Sequence, residues 1–153
     1  MIERVLIVDD EASKRQIIYQ LLGEKFEGAD VTEARSFTSA IAALKSGRFD
    51  LMILDMRIPT FDVAVDESGG RPRNFGGEEI LQKMQRKKIV VPTLVLTQYS
   101  MFHDDASGDV LALDDLRRRL TGYPSFRGLI QFRHSDRSWR HQFTDLLTKV
   151  GKE

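Results

Sequence analysis

The sequence contains no cysteine, carries no formal net charge and has no long hydrophobic run. The absence of cysteine excludes disulfide bonds, thiolate zinc sites and thiol catalysis. Lysine and arginine together number 23, as do aspartate and glutamate, so no bulk charge favours nucleic acid as a partner. The longest apolar stretch, residues 89–96, is far shorter than the roughly 20 residues of a membrane helix. No membrane span is therefore expected.

The composition and the N-terminus indicate a folded cytoplasmic protein. Hydrophobic residues make up 41% of the 153 positions and charged residues 30%, as in globular domains rather than disordered tails. Met-Ile-Glu-Arg leads directly into an apolar run, without the pattern of a secretory leader. We detect no internal repeat or linker, so residues 1–153 are expected to form a single domain.

Short apolar runs alternate with segments of helical periodicity. The expected strands are 4–8, 29–34, 50–55, 90–96 and 127–132, and the expected helices are 13–26, 37–46, 78–86, 109–120 and 136–150. Buried strands that alternate with helices imply parallel pairing and right-handed crossovers. The pattern predicts an α/β fold in which helices cover both faces of a parallel sheet.

Several details of these helices can be predicted from the same pattern. In the first helix, apolar periodicity turns Lys14 and Arg15 towards solvent. Ser36 is expected to cap the second helix, and Val110 is expected to face the core from the fourth. Ser135 or Asp136 is expected to cap the last helix.

Oxygen-bearing side chains follow three of the predicted strands. Asp9 and Asp10 follow the first, Asp55 ends the third and Thr97 ends the fourth. Ligand sites in open parallel sheets lie beyond the carboxyl ends of the strands, so these side chains are expected to converge there. Carboxylates brought together repel one another and raise their pKa values, and a hard divalent cation relieves that repulsion. Ligands that are all oxygen favour magnesium over zinc.

The same set of side chains indicates phosphoryl chemistry. A carboxylate beside Mg²⁺ is a workable nucleophile towards phosphorus, because the metal offsets its repulsion by the anionic phosphoryl group. A nearby hydroxyl and a cation can bind the remaining phosphoryl oxygens. Magnesium-assisted phosphoryl transfer onto an aspartate is the predicted reaction.

Three segments carry a resemblance to a known family. They are Val5–Glu11 (VLIVDDE), Leu51–Pro59 (LMILDMRIP) and Thr93–Thr97 (TLVLT). With them the chain resembles the receiver domain of two-component response regulators over essentially its whole length. The resemblance implies a flavodoxin-like, doubly wound sheet of five parallel strands in the order 2-1-3-4-5, with about five helices.

The resemblance also implies a role for each residue at the strand ends. Asp55 would accept a phosphoryl group from a histidine kinase or a phosphotransfer protein. Asp10, assisted by Asp9, would bind Mg²⁺ together with Asp55 and the backbone carbonyl of Arg57. Thr97 would be the switch hydroxyl that turns towards the phosphoryl group.

The sequence departs from the family at the end of the fifth strand. Receivers have a lysine there, followed by proline, whereas this chain reads QFRHS over residues 131–135. Arg133 is the candidate replacement, although its guanidinium is a wider, planar cation than an ammonium. It either binds the phosphoryl group or points elsewhere, for example towards Asp136. Phe132 loosely matches the aromatic switch residue of the family.

Two regions are longer than the family pattern. The loop at about 60–77 is enlarged by the stretch 63–75, which could act as a lid or be flexible, and the region at about 98–126 is extended. The chain from residue 116 onwards is locally basic, which suits either a solvated face or an acidic protein partner more than nucleic acid.

Three functions stay open. The first is a stand-alone receiver with no output domain, which signals by altered binding to a downstream protein or by passing the phosphoryl group on, with a homodimer as a further possibility. The second is a pseudo-receiver that docks to its partner without being phosphorylated. The third is a phosphatase of the haloacid dehalogenase class, but that class has a second aspartate two positions after the nucleophile, where this chain has Arg57.

Overall fold

The computed structural model describes residues 1–62, 73–104 and 107–153. The strands are β1 (Arg4–Val8), β2 (Asp30–Ala34), β3 (Leu51–Leu54), β4 (Thr93–Thr97), β5 (Met101–His103), β6 (Val110–Ala112) and β7 (Phe126–Gln131). The helices are α1 (Ala12–Lys25), α2 (Phe37–Ser46), α3 (Gly76–Arg86), α4 (Leu113–Leu120) and α5 (Ser138–Gly151). Within these ranges, no helix combines the length and apolar character that crossing a bilayer would need.

Five of the strands form one parallel sheet in the order β2-β1-β3-β4-β7. This confirms the predicted flavodoxin-like order, with β7 in the place of the fifth strand. Val8 pairs with Leu54, and Leu54 pairs with Val95. The register therefore brings the carboxyl ends of the central strands to the same edge, where the site lies.

Both faces of the sheet are covered, because the central strands are apolar on both sides. In β1, Leu6 and Val8 join the core that includes residues of α2, α3 and α4, whereas Val5 and Ile7 join the core that includes residues of α1 and α5. All four side chains are fully buried. The sheet is thus the middle layer of three.

The extended region at 98–126 contains a small hairpin that was not predicted. Strand β5 pairs antiparallel with β6, and Phe102 lies opposite Leu111. The predicted helix at 109–120 therefore begins only at Leu113, and Val110 is 45% exposed rather than in the core. Pairing with β5 keeps the first residues of that segment extended, and Phe102 anchors the hairpin by packing against Phe75, with 6.1 Å between ring centroids.

The helix ends agree in part with the predicted caps. Ser36 caps α2 as predicted, and its hydroxyl oxygen accepts a hydrogen bond from the Ser39 amide at 3.1 Å. The residue before α5 is Arg137, not Ser135 or Asp136, although the Asp136 carboxylate accepts from the Ser138 amide at 2.8 Å. Residues 63–72 of the predicted loop insertion lie outside the described residues.

Candidate functional site

Three carboxylates meet at the carboxyl edge of the sheet. Asp9 and Asp10 follow β1, Asp55 follows β3, and one oxygen from each lies within 4.8 Å of the others. Asp9 and Asp55 are buried, whereas Asp10 is exposed. The structure thus brings together the three acids that the sequence nominated as metal ligands.

Backbone amides hold the two buried carboxylates in place. Asp9 Oδ1 accepts a hydrogen bond from the Glu11 amide at 2.9 Å, and Asp55 Oδ1 accepts from the Met56 amide at 2.7 Å. In each case the chain turns sharply after its strand, so that an amide points back at the carboxylate. The second oxygen of each group is left for a cation.

That cation is Lys14 of α1, whose side chain is fully buried. Its Nζ lies 2.6 Å from Asp9 Oδ2 and 3.3 Å from Asp55 Oδ2, and it donates a hydrogen bond to the Leu96 carbonyl at 2.6 Å. The prediction that Lys14 and Arg15 face solvent was wrong. Arg15 is also buried, and its guanidinium donates to the Asp9 carbonyl at 2.9 Å.

Hydrophobic periodicity missed Lys14 because it treats every lysine as a solvent-facing residue. Two of the partners of this lysine, Asp55 and the Leu96 carbonyl, come from other strands, so they are invisible in the local pattern of α1. One signal was available: the lysine expected at the end of the fifth strand is absent, and Lys14 lies four residues after Asp10, in the first turn of α1.

Burial and charge shape the electrostatics of the cluster. Burial, together with the neighbouring Asp9 charge, raises the pKa of Asp55 to about 7, against the attraction of Lys14. Desolvation and the Asp9 charge also raise the pKa of Asp10. Burial alone would lower the pKa of Lys14, but attraction to Asp55 and Asp9 outweighs it and raises that pKa. Lys14 is therefore a permanent positive charge inside the site.

A cavity of about 200 Å³ opens onto Asp55 and Asp10. Its other lining residues are Arg57, Ile58, Pro59, Gln98 and Tyr99. The Arg57 guanidinium lies over the Tyr99 ring, 5.4 Å from its centroid, and donates to the Tyr99 hydroxyl at 3.4 Å. This pair borders the opening through which a small anion would reach Asp55.

Thr97 and Arg133 take different positions relative to the cluster. Thr97 is buried at the end of β4, and its hydroxyl oxygen accepts a hydrogen bond from the Tyr99 amide at 3.4 Å. Arg133 is exposed and donates to the Gln131 side chain at 3.1 Å. Among the described residues, the ion pairs of Asp9 and Asp55 are with Lys14, so the structure does not bring Arg133 to the acids.

The start of α3 packs tightly under Asp55. A Cβ atom on Gly77 would lie 2.5 Å from the Asp55 carbonyl oxygen and 3.0 Å from Met56 Cα. The Gly77 amide donates to the Met56 carbonyl at 2.9 Å. Glycine lets the helix approach the strand end this closely, and the approach fixes the backbone that carries the central carboxylate.

Comparison with known proteins agrees with this geometry. The sequence matches the response regulator receiver domain family over residues 5–108. The chain belongs to this family. The matched region holds the three acids together with Lys14 and Thr97, while β7 and α5, which lie beyond it, complete the same sheet and its cover.

Two curated relatives differ in the share of their own length that this chain covers. The chain is 30% identical to the Detocs response regulatory protein DtcB of Enterobacter cloacae, over 96% of this chain and 97% of that protein. It is also 30% identical to the transcriptional regulatory protein TrcR of Mycobacterium tuberculosis, over 73% of this chain. It spans 37% of the length of TrcR.

A solved structure supports the receiver fold. The response regulator TrrA of Thermotoga maritima, in complex with Mg²⁺-BeF, has a TM-score of 0.58 with this chain at 23% identity. The match covers 94% of this chain and 98% of TrrA.

The carboxylate cluster fits the magnesium ion that receiver domains bind. Its three acids carry −3 when ionised and Lys14 carries +1, which leaves −2 for a divalent cation to neutralise. All available ligand atoms are oxygens, the donor set that Mg²⁺ prefers. The proposed contribution of the Arg57 carbonyl stays a prediction.

Proposed function

We propose that this receiver works as a stand-alone response regulator that accepts a phosphoryl group on Asp55 in a magnesium-dependent reaction. One observation carries the proposal: a buried carboxylate, flanked by two further acids and an ammonium, borders a cavity large enough for a phosphoryl group. Asp9, Asp10, Asp55 and the Arg57 carbonyl would hold the metal. When bound, Mg²⁺ would supply charge neutralisation for the incoming phosphoryl group.

The residues around Asp55 suit its role as a nucleophile. One carboxylate oxygen of Asp55 would donate an electron pair to phosphorus and form the new oxygen–phosphorus bond, while the bond from phosphorus to the donor breaks and the donor leaves with the electron pair of that broken bond. Asp55 Oδ1 is already held by the Met56 amide. Both oxygens of Asp55 are available as nucleophiles. Oδ2 faces Lys14, and Oδ1 keeps lone pairs that the Met56 amide does not use.

Response regulators interact with histidine kinases or phosphotransfer proteins, and we infer that one of these is the donor. The output would be altered binding to a downstream protein, biased by Thr97 turning towards the phosphoryl group. The match over 97% of DtcB supports a receiver acting as a functional unit of its own. The Mg²⁺-BeF complex of TrrA supports a site that accepts a phosphoryl mimic.

The test is labelling with acetyl phosphate and Mg²⁺, followed by intact mass spectrometry and peptide mapping. Wild-type protein should gain one phosphoryl group on the peptide that contains Asp55, and Asp55→Asn should gain none. Asp50→Asn is the control, because Asp50 accepts hydrogen bonds from the amides of Glu3 and Arg4 and lies at the opposite end of β3. Labelling that survives Asp55→Asn unchanged would refute the assignment.

The same experiment addresses the alternative of a pseudo-receiver. A folded protein that neither gains a phosphoryl group nor binds beryllofluoride with Mg²⁺ would be a phosphorylation-independent interaction module. Turnover of small phosphate esters would instead indicate the phosphatase class, and we expect none.

A further inference from the structure

The last strand of the sheet brings no cation to the phosphoacceptor. The Phe132 amide donates to the Thr97 carbonyl at 2.9 Å, so Phe132 is the residue that passes the site directly after β7. Its ring is buried and packs against Trp139, with 4.8 Å between centroids. Arg133, the next residue, is exposed. The ring of Phe132 thus lies at the end of the last strand, the place at which the family pattern has a lysine.

The cation comes instead from α1. Lys14 Nζ is bounded by three acceptors from three different strand ends: Asp9 after β1, Asp55 after β3 and the Leu96 carbonyl in β4. Phe132 closes the fourth side, with its ring centroid 5.5 Å from Nζ. The ammonium therefore reaches the carboxylates from a helix and not from the last strand.

We propose that Lys14 is the cation that binds the phosphoryl group on Asp55, the role for which the sequence nominated Arg133. The proposal rests on the proposed function, because it assumes that Asp55 is phosphorylated. Nζ already lies 3.3 Å from Asp55 Oδ2, and its bonds to Asp9 and Leu96 keep it in place when that oxygen becomes part of an acyl phosphate. The compact ammonium of Lys14 is fully enclosed at this position.

The position of Lys14 also links phosphorylation to the end of β4. Its ammonium contacts both Asp55 and the Leu96 carbonyl, and Leu96 directly precedes Thr97. A phosphoryl group on Asp55 would take over the contact with Asp55, while the hydrogen bond to Leu96 stays. The lysine would thereby couple the phosphoacceptor to both α1 and the switch hydroxyl.

The experiment compares Lys14→Met with the matched variant Arg133→Gln. Binding of beryllofluoride in the presence of Mg²⁺ is measured by ¹⁹F NMR, and labelling by acetyl phosphate is followed by mass spectrometry. Removing a charge-assisted hydrogen bond should weaken beryllofluoride binding about ten- to a hundredfold in Lys14→Met. Arg133→Gln should change it by less than about twofold, because the residue is exposed.

Chemical rescue separates the effect of the Lys14 charge on beryllofluoride binding from the effect of the packing of its side chain. The chain has no cysteine, so Lys14→Cys introduces a single reactive thiol. Alkylation with 2-bromoethylamine in the unfolded state, followed by refolding, restores an ammonium at nearly the original length. Iodoacetamide gives a neutral control. The aminoethylated protein should recover most of the beryllofluoride affinity, and the neutral adduct should not.

A measurement on wild-type protein avoids dependence on variants that fail to fold. In protein labelled with ¹⁵N-lysine, the enclosed ammonium of Lys14 should give a slowly exchanging NMR signal. In protein already saturated with Mg²⁺, this signal should shift again on addition of beryllofluoride but not on addition of fluoride alone. A signal that does not move would overturn the proposal.

The outcomes distinguish this inference from the proposed function. Wild-type protein that neither binds beryllofluoride nor gains a phosphoryl group refutes the function itself. Wild-type binding that Lys14→Met retains in full refutes only the assignment of Lys14. Loss of binding in Arg133→Gln, with Lys14→Met unaffected, returns the role to Arg133.

Discussion

At the scale of the single residue, the proposed function places two opposing demands on Asp55. As the proposed nucleophile it would have to be enclosed enough to exclude water from the reaction, yet it would have to ionise. Burial raises its pKa, whereas Lys14 lowers it, and the balance leaves Asp55 with a pKa of about 7. Mg²⁺ would favour the ionised form further, because a metal competes with the proton for the same oxygens.

Asp55→Asn should stabilise the metal-free protein at neutral and alkaline pH. The pKa of Asp55 in the folded state lies above its ordinary value of 3.8. The folded protein therefore binds the extra proton between about pH 4 and pH 7, and the free energy of unfolding falls as pH rises through that interval. In Asp55→Asn the free energy of unfolding should not fall over this interval. At pH 8 it should exceed that of the wild-type protein by on the order of 2 kcal/mol. Urea unfolding in EDTA at several pH values is the measurement.

Asp50→Asn is the control, because its expected effect on the free energy of unfolding has the opposite sign. The Glu3 and Arg4 amides bind the Asp50 carboxylate and lower its pKa. The stability that Asp50 contributes is therefore present above its ordinary pKa and is lost as pH falls. Asp50→Asn should destabilise the protein at neutral pH. Equal stabilisation by both substitutions would contradict the explanation based on burial of Asp55.

At the scale of secondary-structure elements, the start of α3 connects the site to α4. Gly77 packs against the backbone of Asp55, and its neighbour Glu78 is buried. The Glu78 carboxylate accepts hydrogen bonds from Arg119 of α4, at 2.8 Å from Nε, and from the Tyr123 hydroxyl, at 3.0 Å. A displacement of the Asp55 backbone would therefore be transmitted to α4 through the consecutive residues Gly77 and Glu78.

Gly77→Ala should destabilise the fold, and Gly23→Ala should not. The added methyl group at position 77 meets backbone atoms that cannot move independently, which costs about 1–3 kcal/mol. Gly23 lies on the exposed side of α1 with no atom within 4 Å of its Cβ position, so alanine there should stabilise by about 0.5–1 kcal/mol. Thermal unfolding followed by circular dichroism compares the two.

Arg119→Gln should destabilise the protein more than Arg118→Gln does. Loss of Arg119 leaves the buried Glu78 carboxylate without its bidentate partner, at a cost of about 1–3 kcal/mol. Arg118 pairs with Asp115 on the surface, where an ion pair contributes about 0.2–1 kcal/mol. Urea unfolding of both variants decides this, and equal losses would mean that Glu78 is already well solvated.

The elements also show how far the sequence could predict the structure. Apolar strands buried on both faces gave a distinct pattern, so the parallel sheet could be predicted from the residues, and the positions of Asp9, Asp10 and Asp55 at strand ends predicted their convergence. The strand order was predicted only through the resemblance to receiver domains. The hairpin of β5 and β6 could not be predicted, because residues 110–112 are as compatible with a helical pattern as with a strand. Their conformation depends on pairing with residues 101–103, which lie outside the segment itself. Lys14 was missed for a related reason, since two of its partners, Asp55 and the Leu96 carbonyl, lie far away in the chain.

At the scale of the whole molecule, Mg²⁺ should stabilise the fold through the acidic cluster. A ligand at ten times its Kd contributes about 1.4 kcal/mol, which raises Tm by about 3–5 °C for a domain of this size. Asp10→Asn should lose most of this rise, because it removes one of the three ligands. Glu27→Gln, at an exposed position in the turn between α1 and β2, should keep it. A rise retained in Asp10→Asn would place the ion elsewhere.

Trp139, the sole tryptophan of the chain, gives the protein an optical reporter of its own. The indole donates a hydrogen bond to the Arg133 carbonyl at 3.0 Å and packs against Phe132, whose ring in turn faces the Lys14 ammonium. Two contacts therefore separate the fluorophore from the Lys14 ammonium beside Asp55. Its emission can follow events at the carboxyl edge of the sheet in real time, without a dye or an introduced label.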